Sequence, residues 1–326
     1  RLARYQHAAL LQAIQFFLGE MSGEALFMKS RTVLSPDSKA KYNYYGNLSS
    51  QIPNLDFYIS KAKNITHSTH IMYEPSICVI LQGEKAVGFG DELYTYRQNE
   101  YLIASTHLPA TVKILDSKED ELYVSFRIKF TLEDIYEVLK NIDIQNINSK
   151  KSVEKGLFFD KLNDDLYDAF YRLIKLLGKK NSEIEYLSSL IIKEILFILM
   201  SQKAGYFLSK FAMQDSISNK IAKVITYIKD NYKDKINIKE LACMFTLSES
   251  SLYQNFKNIT QLTPIQFQKN LRLQEAQKLL SLQNIDVLEV AILVGYESAS
   301  QFSKDYSKMY GMSPKKHSNF LKNQNL

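Results

Sequence analysis

The sequence predicts an α+β protein: a small β barrel or sandwich, a helical subdomain, and an all-α domain of two helix-turn-helix units. Three observations carry this reading. Short β-rich runs separated by turn residues fill residues 71–130. From Thr131 onward the apolar period becomes helical. In the last third a pattern of alanine, aromatic and proline positions recurs at a spacing of 49–50 residues.

The β-rich runs are Ser76–Leu81, Lys85–Phe89, Glu92–Tyr96, Tyr101–Ala104, Thr111–Leu115 and Leu122–Lys129. Gln82-Gly83, Gly90-Asp91, Gln98-Asn99, His107 to Pro109 and Ser117 to Asp120 separate them. A barrel of this size has room for one small ligand.

Two helices follow. Leu162, Leu166, Ala169, Phe170, Leu173 and Leu177 form one stripe, and Leu187, Leu190, Ile191, Glu194, Ile195 and Ile198 lie near one face of the next. The second helix is apolar over most of its circumference and should be buried, in the intrachain core or in a dimer interface. Gly205 to Ser218 reads as a linker.

The boundaries expected are 28–130 for a barrel domain with an N-terminal arm and 131–204 for the helices. A linker at 205–215 and a helix-turn-helix domain at 216–326 follow. Residues 1–27 contain no Lys and no Asn, and Met28 follows them at once. They are expected to be a non-native leader, with a partner-binding helix as the alternative.

Composition bounds the function. A chain of 326 residues with 45% hydrophobic and 23% charged residues is globular, and its length suits two domains. Two cysteines, Cys78 and Cys243, cannot build a disulfide framework or a four-cysteine zinc site. Free thiols fit a reducing compartment, so a cytoplasmic location is expected. The longest apolar stretch, Ile184 to Met200, is interrupted by Glu185, Lys193 and Glu194, short of the ~20 uncharged residues of a membrane span.

The net charge of +6 is unevenly placed. From Ser216 onward there are 15 basic and 9 acidic residues, whereas the first 215 residues balance. An anionic partner for the last third is the natural reading, and nucleic acid is the first candidate.

The repeat sharpens that candidate. Leu252, Phe256 and Pro264 recur as Phe302, Tyr306 and Pro314, and Ala242 recurs as Ala291. Each copy reads helix, short turn, helix, then a loop ending in proline, which is the grammar of a helix-turn-helix. Gly295 can supply a positive φ in the second turn. Thr246 stands at that position in the first, where a β-branched residue would be strained, so another geometry is expected there. Ser248 suits an N-cap, as does Thr263 before Pro264. The helix between the copies should present Leu273, Ala276, Leu279 and Leu280 to the core. It should space the units for successive major grooves, ~34 Å apart.

Two copies are too few for a solenoid. The exposed positions of the second helix of each unit are Ser250, Tyr253, Gln254 and Lys257, and then Ser300, Gln301, Ser303 and Lys304. Hydroxyls and amides can read base edges, and lysine can bind phosphate or guanine.

These residues resemble the AraC/XylS family of bacterial transcription regulators, over roughly Ile217 to Phe320. The stretch Val294-Gly-Tyr-Glu-Ser-Ala-Ser-Gln-Phe-Ser-Lys-Asp-Tyr, ending Gly311-Met-Ser-Pro314, is the most specific part. Leu241-Ala, Ser248-Glu-Ser-Ser-Leu, Phe256-Lys, Thr263-Pro and Leu271-Arg-Leu-Gln-Glu-Ala add the first unit. Tyr73-Glu-Pro-Ser-Ile-Cys-Val-Ile-Leu-Gln-Gly-Glu-Lys, Tyr101-Leu-Ile-Ala-Ser and Leu108-Pro resemble the N-terminal sensor domain of that family.

The resemblance implies a cupin-like β barrel followed by helices. It also implies sequence-specific double-stranded DNA binding under control of a small-molecule or stress signal. RNA polymerase is an implied partner, and the chain would act as a homodimer or monomer.

Base contacts fall on Ser250, Tyr253, Gln254, Ser300, Gln301, Ser303 and Lys304. Lys257 resembles the family's phosphate-contacting lysine. Lys308 is its counterpart in the second unit, although the chain has Tyr306-Ser307 where the family often has Phe-Lys. His317-Ser318 stand where Tyr-Arg is frequent.

Two other chemistries have candidate residues. His67, His70 and Glu74, with His107 further on, have spacings that invite a metal, as in cupin enzymes. The chain has His-x-x-His rather than His-x-His, and a site needs three or four converging ligands, so no metal and no cofactor are expected. Cys78 reads as a buried hydrophobe, with a thiol sensor as the sharper reading if the barrel opens onto it and Lys85 lowers its pKa. Cys243 reads as core. No phosphate loop, nucleophile elbow or paired-carboxylate motif is present, so no enzyme activity is expected. An architectural nucleic-acid-binding protein, or a cupin-like metalloenzyme with a nucleic-acid-tethering tail, are the competing functions.

Overall fold

A computed structural model describes residues 45–61, 68–115, 122–142, 155–282 and 285–324. The expected leader, most of the N-terminal arm and His67 lie outside these residues.

Among the described residues, ten strands form two antiparallel sheets. They are β1 (Tyr45–Ser49), β2 (Leu55–Lys61), β3 (Thr69–Tyr73), β4 (Ser76–Gln82), β5 (Glu84–Phe89), β6 (Glu92–Arg97), β7 (Glu100–Ala104), β8 (Leu108–Leu115), β9 (Leu122–Lys129) and β10 (Leu157–Lys161). One sheet has the order β1-β2-β9-β4-β7-β10, the other β3-β8-β5-β6. The six β-rich runs read from sequence correspond to β4 through β9. The turns between them use the expected residues: Gly83, Gly90 and Asn99 all have positive φ. β1, β2 and β10 carried no clear sequence signal. β2 holds Asp56 near its start, and pairing with β1 and β9 makes it a strand.

The sheets enclose a core unusually rich in tyrosine, with Tyr73, Tyr96, Tyr101 and Tyr123 buried beside Ile77, Val79, Val87 and Phe126. Helix α1 (Leu132–Leu139) begins with a capping box between Thr131 and Asp134. Asn163 caps α2 (Asp164–Ile174), which sets Phe170 edge-on against Phe126 of β9, 5.0 Å between ring centres. Leu166, Ala169, Phe170 and Leu173 are buried as the stripe predicted.

The next helix corrects an expectation. α3 (Asn181–Met200) buries Ile184, Ser188, Ile192, Ile195, Leu196 and Leu199. Tyr186, Leu187, Leu190 and Phe197 stay exposed, and Glu194 is bound by Arg172 of α2 at 2.6 Å. A helix apolar on all sides gives no preferred buried face, and the neighbouring elements chose one offset from Leu187–Leu190. The stretch read as a linker is also different. α4 (Lys203–Ala212) occupies most of it and buries Phe207, Leu208 and Phe211. Phe207 stacks on Phe158 of β10 at 5.4 Å, so the segment is core. Its period was too short to stand out beside α3.

Ser216 caps α5 (Ile217–Asp230). Then come α6 (Ile238–Met244) and α7 (Glu249–Thr260), the long α8 (Pro264–Leu282), α9 (Val287–Leu293) with α10 (Ala299–Tyr310), and α11 (Pro314–Gln324). The core divides along α8. Its early residue Phe267 packs on Phe256 of α7, whereas Leu273, Ala276 and Leu280 pack with Val290, Ala291, Phe302 and Tyr306. At 1.5 Å per residue a helix of 19 residues is about 28 Å long, enough to hold two units apart as rigid neighbours.

Candidate nucleic-acid interface and barrel pocket

The two units, α6–α7 and α9–α10, turn by the same hydrogen bonds. Leu247 N–H donates to the Ala242 carbonyl and Thr246 N–H to that of Cys243. In the second unit Tyr296 donates to Ala291 and Gly295 to Ile292. The small alanines are buried where the helices meet. Gly295 has φ +89°, as expected. Thr246 has φ +53°, so the alternative geometry expected for the first turn is not used. Lys220 of α5 donates to Thr246 Oγ1 at 2.7 Å, and that hydroxyl donates to the Phe245 carbonyl at 2.7 Å. These bonds offset part of the strain of a β-branched residue in the left-handed region.

Ser248 and Ser298 cap α7 and α10 by accepting from Ser251 N–H and Gln301 N–H. Thr263 and Gln266 form a capping box at the start of α8. The apolar residues of the second helix of each unit face inward: Leu252 and Phe256 in α7, Phe302 and Tyr306 in α10. Ser250, Tyr253, Gln254 and Lys257 are exposed on α7. Ser300, Gln301, Lys304 and Lys308 are exposed on α10, and Ser303 is half-buried. Cys243 is exposed, contrary to the core placement expected. The seven-residue α6 buries only Leu241 and Ala242, and Cys243 falls on its outer side.

The sequence reading missed what locks the two units together. Arg272 of α8 donates to the carbonyls of Tyr232, Lys233 and Asp234 at 2.7–3.1 Å and lies 5.8 Å from the Tyr296 ring. Gln268 donates to the carbonyls of Tyr232 and Asp234. Lys269 pairs with Asp305 at 3.3 Å. Gly295 fits because a Cβ there would lie 2.3 Å from the Lys233 carbonyl. A cleft of about 690 Å³ opens here, with Lys233 and Lys235 on one wall and Ser298 and Gln301 on the other. The only sequence signal was the Leu271-Arg-Leu stretch.

The barrel holds the far ends of both recognition helices. Gly156 N–H donates to the Ile259 carbonyl of α7 at 3.0 Å, and a side chain at Gly90 would strike Gln261, which caps that helix at φ +63°. His70 of β3 donates to the Met309 carbonyl of α10 through Nε2 at 3.1 Å, accepts from the Thr111 hydroxyl through Nδ1, and sets its ring edge-on to Tyr310. Burial holds His70 below the ordinary histidine range, against the pull of the Met309 carbonyl. His107 is pushed down to about 4 by burial and by the positive charge of Lys229.

Of the histidines with metal-like spacing, His70 is therefore engaged at the junction. Glu74 is engaged by Lys129 at 3.3 Å. Among the described residues, no cluster has the make-up of a metal site. No described helix is long and apolar enough to cross a membrane.

Between the sheets lies a cavity of about 210 Å³. Asp56, Arg127 and Cys78 form one cross-strand row on its wall, and Tyr96, Lys85 and Ile114 form another. Burial opposes ionisation of Asp56, but Arg127 and Lys129 hold it below the usual carboxylate range. Burial pushes the Cys78 thiol up, and nearby Lys85 and Arg127 offset only part of that. The expected closeness of Lys85 is present, but here burial outweighs it.

Residues 51–207 match the family model described as the AraC-type transcriptional regulator N-terminus, and residues 241–319 match a helix-turn-helix domain model. The chain is 33% identical to a probable transcriptional regulator, LumQ, of Photobacterium leiognathi over 29% of this chain and 39% of that one. It is 28% identical to the raffinose operon regulatory protein RafR of Pediococcus pentosaceus over 47% of this chain and 54% of that one. It is 25% identical to the transcriptional activator RhaS of Escherichia coli over 48% of this chain and 55% of that one. The chain spans about half the length, or less, of the curated relatives it matches.

Two structures of ToxT from Vibrio cholerae share the fold. An apo lysine-to-alanine variant gives a TM-score of 0.55 at 10% identity, covering 84% of this chain and 100% of the other. A second, at 1.65 Å resolution, gives 0.55 at 12% identity, covering 82% and 98%.

Proposed function

The chain belongs to the AraC/XylS family of transcription regulators, and on that premise we propose that it binds specific double-stranded DNA through both helix-turn-helix units and regulates transcription in response to a ligand held by its barrel. One observation carries the DNA reading. The two units repeat the same turn bonds and caps, and each presents an exposed polar helix face. The base-reading groups are Ser250, Tyr253, Gln254, Ser300, Gln301, Ser303 and Lys304. Lys257 and Lys308 bind phosphate, joined by Lys233 and Lys235 in the cleft between the units.

Regulation would pass through β3. Thr69, Ile71 and Met72 line the cavity, and His70 between them bonds the end of α10. A ligand that moved β3 would bias the seating of the second recognition helix, provided it bound the two seatings with different affinity.

We read residues up to about 212 as the sensor unit and those from Ser216 as the DNA-reading unit, acting inside the cell. The exposed strip Tyr186, Leu187, Leu190 and Phe197 is where a second copy would pair, and RNA polymerase is the further partner of an activator. Cys78 lines the same cavity, but burial raises its thiol pKa despite nearby Lys85, so it serves there as a wall residue rather than a thiol sensor.

The test is selection of duplexes from a random pool by the purified chain, followed by anisotropy across salt. Specific binding should be roughly 10³–10⁷ tighter than nonspecific, with a steep salt slope. Enrichment of no sequence would sink the regulator reading and favour an architectural role.

A further inference from the structure

Among the described residues, the charges around the barrel cavity do not balance. Asp56 is met by Arg127 at 2.7 Å and by Lys129 at 3.2 Å, and Glu74 by Lys129 at 3.3 Å and Arg127 at 3.9 Å. Two carboxylates thus answer two cations. Lys85 is left over. It borders the cavity, and no hydrogen bond or ion pair joins it to any other described residue. Its ammonium lies 5.7 Å from the centre of the Tyr73 ring, which offers a weak attraction and no counter-charge.

Cys78 is the acidic group beside it, and burial keeps that thiol protonated. Burial also pulls Lys85 below the ordinary lysine range, as loss of water around a cation does. Leaving an ammonium half-buried without a counter-charge is costly, and the fold keeps one here on the cavity wall beside Tyr73, Tyr96 and Ile114.

We propose that this cavity is the site of a small organic monoanion, a carboxylate whose charged end rests on Lys85 and whose apolar body lies against Phe57, Ile71, Met72 and Val112. One surplus positive charge calls for one negative charge. That argues against sugars, which are neutral, and against phosphate esters, which carry nearly two. Size sets the second limit. An apolar cavity of ~150 Å³ holds benzene, so one of about 210 Å³ suits an acid of six or seven carbons. The proposal deepens the sensor reading by naming the ligand class. It stands apart from the DNA reading, because the binding measured is that of the ligand alone.

The experiment is calorimetric titration of the full chain with hexanoate and cyclohexanecarboxylate, each against its neutral amide. The amide keeps the shape and removes the charge. Both acids should bind at least about tenfold tighter than their amides, a difference of about 1.4 kcal/mol. Lys85→Met should erase that preference, and Lys85→Arg should keep it.

Methionine fills the same volume without charge, so Lys85→Met should fold, which thermal unfolding checks. If it does not, the acid–amide comparison in the wild type and in Lys85→Arg decides alone. Equal affinity for acid and amide, persistence of the preference in a folded Lys85→Met chain, or absence of acid binding at about 10 mM, where even weak sites fill, overturns the proposal. DNA binding of the same preparations separates the two readings. Ligand failure with intact specific DNA binding removes only the carboxylate site, and the converse removes only the regulator.

Discussion

His70 Nε2 and the Met309 carbonyl lie 3.1 Å apart although 239 positions separate them in the chain. One is on a barrel strand whose neighbours line a cavity, the other at the end of the second recognition helix. The Tyr310 ring closes the junction edge-on to the imidazole at 5.6 Å. Among the described residues, this bond ties the barrel cavity most directly to the DNA-reading unit.

Cutting this bond should loosen the end of α10. In His70→Leu, amide hydrogen exchange across residues 306–313 should quicken up to about tenfold, as expected for a lost bond of roughly 1 kcal/mol. Exchange across Val287–Leu293 should not change. Unchanged exchange at 306–313 would remove His70 from the coupling route.

Acid should weaken the junction. Burial depresses the pKa of His70 and of His317, whose Nδ1 pairs with the Tyr306 hydroxyl at 3.0 Å. His107, facing Lys229, Glu74 and Asp230, is down to about 4 from 6.5. A histidine with a depressed folded pKa favours the neutral form when folded. Its contribution is therefore complete above about pH 6.5 and is lost as pH falls toward 4, on the order of 3 kcal/mol for His107. Denaturant unfolding at intervals between pH 7 and 4.5 measures this, and His107→Gln should flatten the curve. A wild-type curve already flat above pH 5 would contradict it.

The two glycines of the second unit should differ. Gly295 combines φ +89° with a Lys233 carbonyl oxygen that a Cβ would meet at 2.3 Å, whereas Gly311 has φ +73° and open space around it. Gly311→Ala should cost about 1 kcal/mol, the conformational penalty alone. Gly295→Ala should cost at least about 3 kcal/mol, because backbone must shift as well. Equal losses in melting temperature would mean the α5–α6 loop yields freely.

Base readers and phosphate binders should separate under salt. Gln254→Ala or Gln301→Ala should lose about 1–3 kcal/mol at one base position while nonspecific binding persists. Lys257→Ala should weaken all sequences alike and lower the salt slope by about one. A uniform loss from the glutamine changes would assign them to the backbone instead.

The sequence by itself determined the elements that signal locally. Strands β4–β7 are separated by turns at Gly83, Gly90 and Asn99, and the helix-turn-helix units repeat Ala242 as Ala291 and Phe256 as Tyr306. Such patterns depend on neighbours a few residues away, so periodicity and turn chemistry expose them. The exposed polar faces of α7 and α10 follow from the same period. The tertiary structure decided everything that depends on a distant partner. It buried Ile184 and Ile192 of α3 rather than Leu187 and Leu190, made α4 core through Phe207 on Phe158, and held Thr246 at positive φ through Lys220. It also set Lys85 on the cavity wall with no counter-charge among the described residues and set His70 against Met309. A residue type states what a side chain can do, but only packing across the chain fixes which neighbour it meets and how much water is left around it.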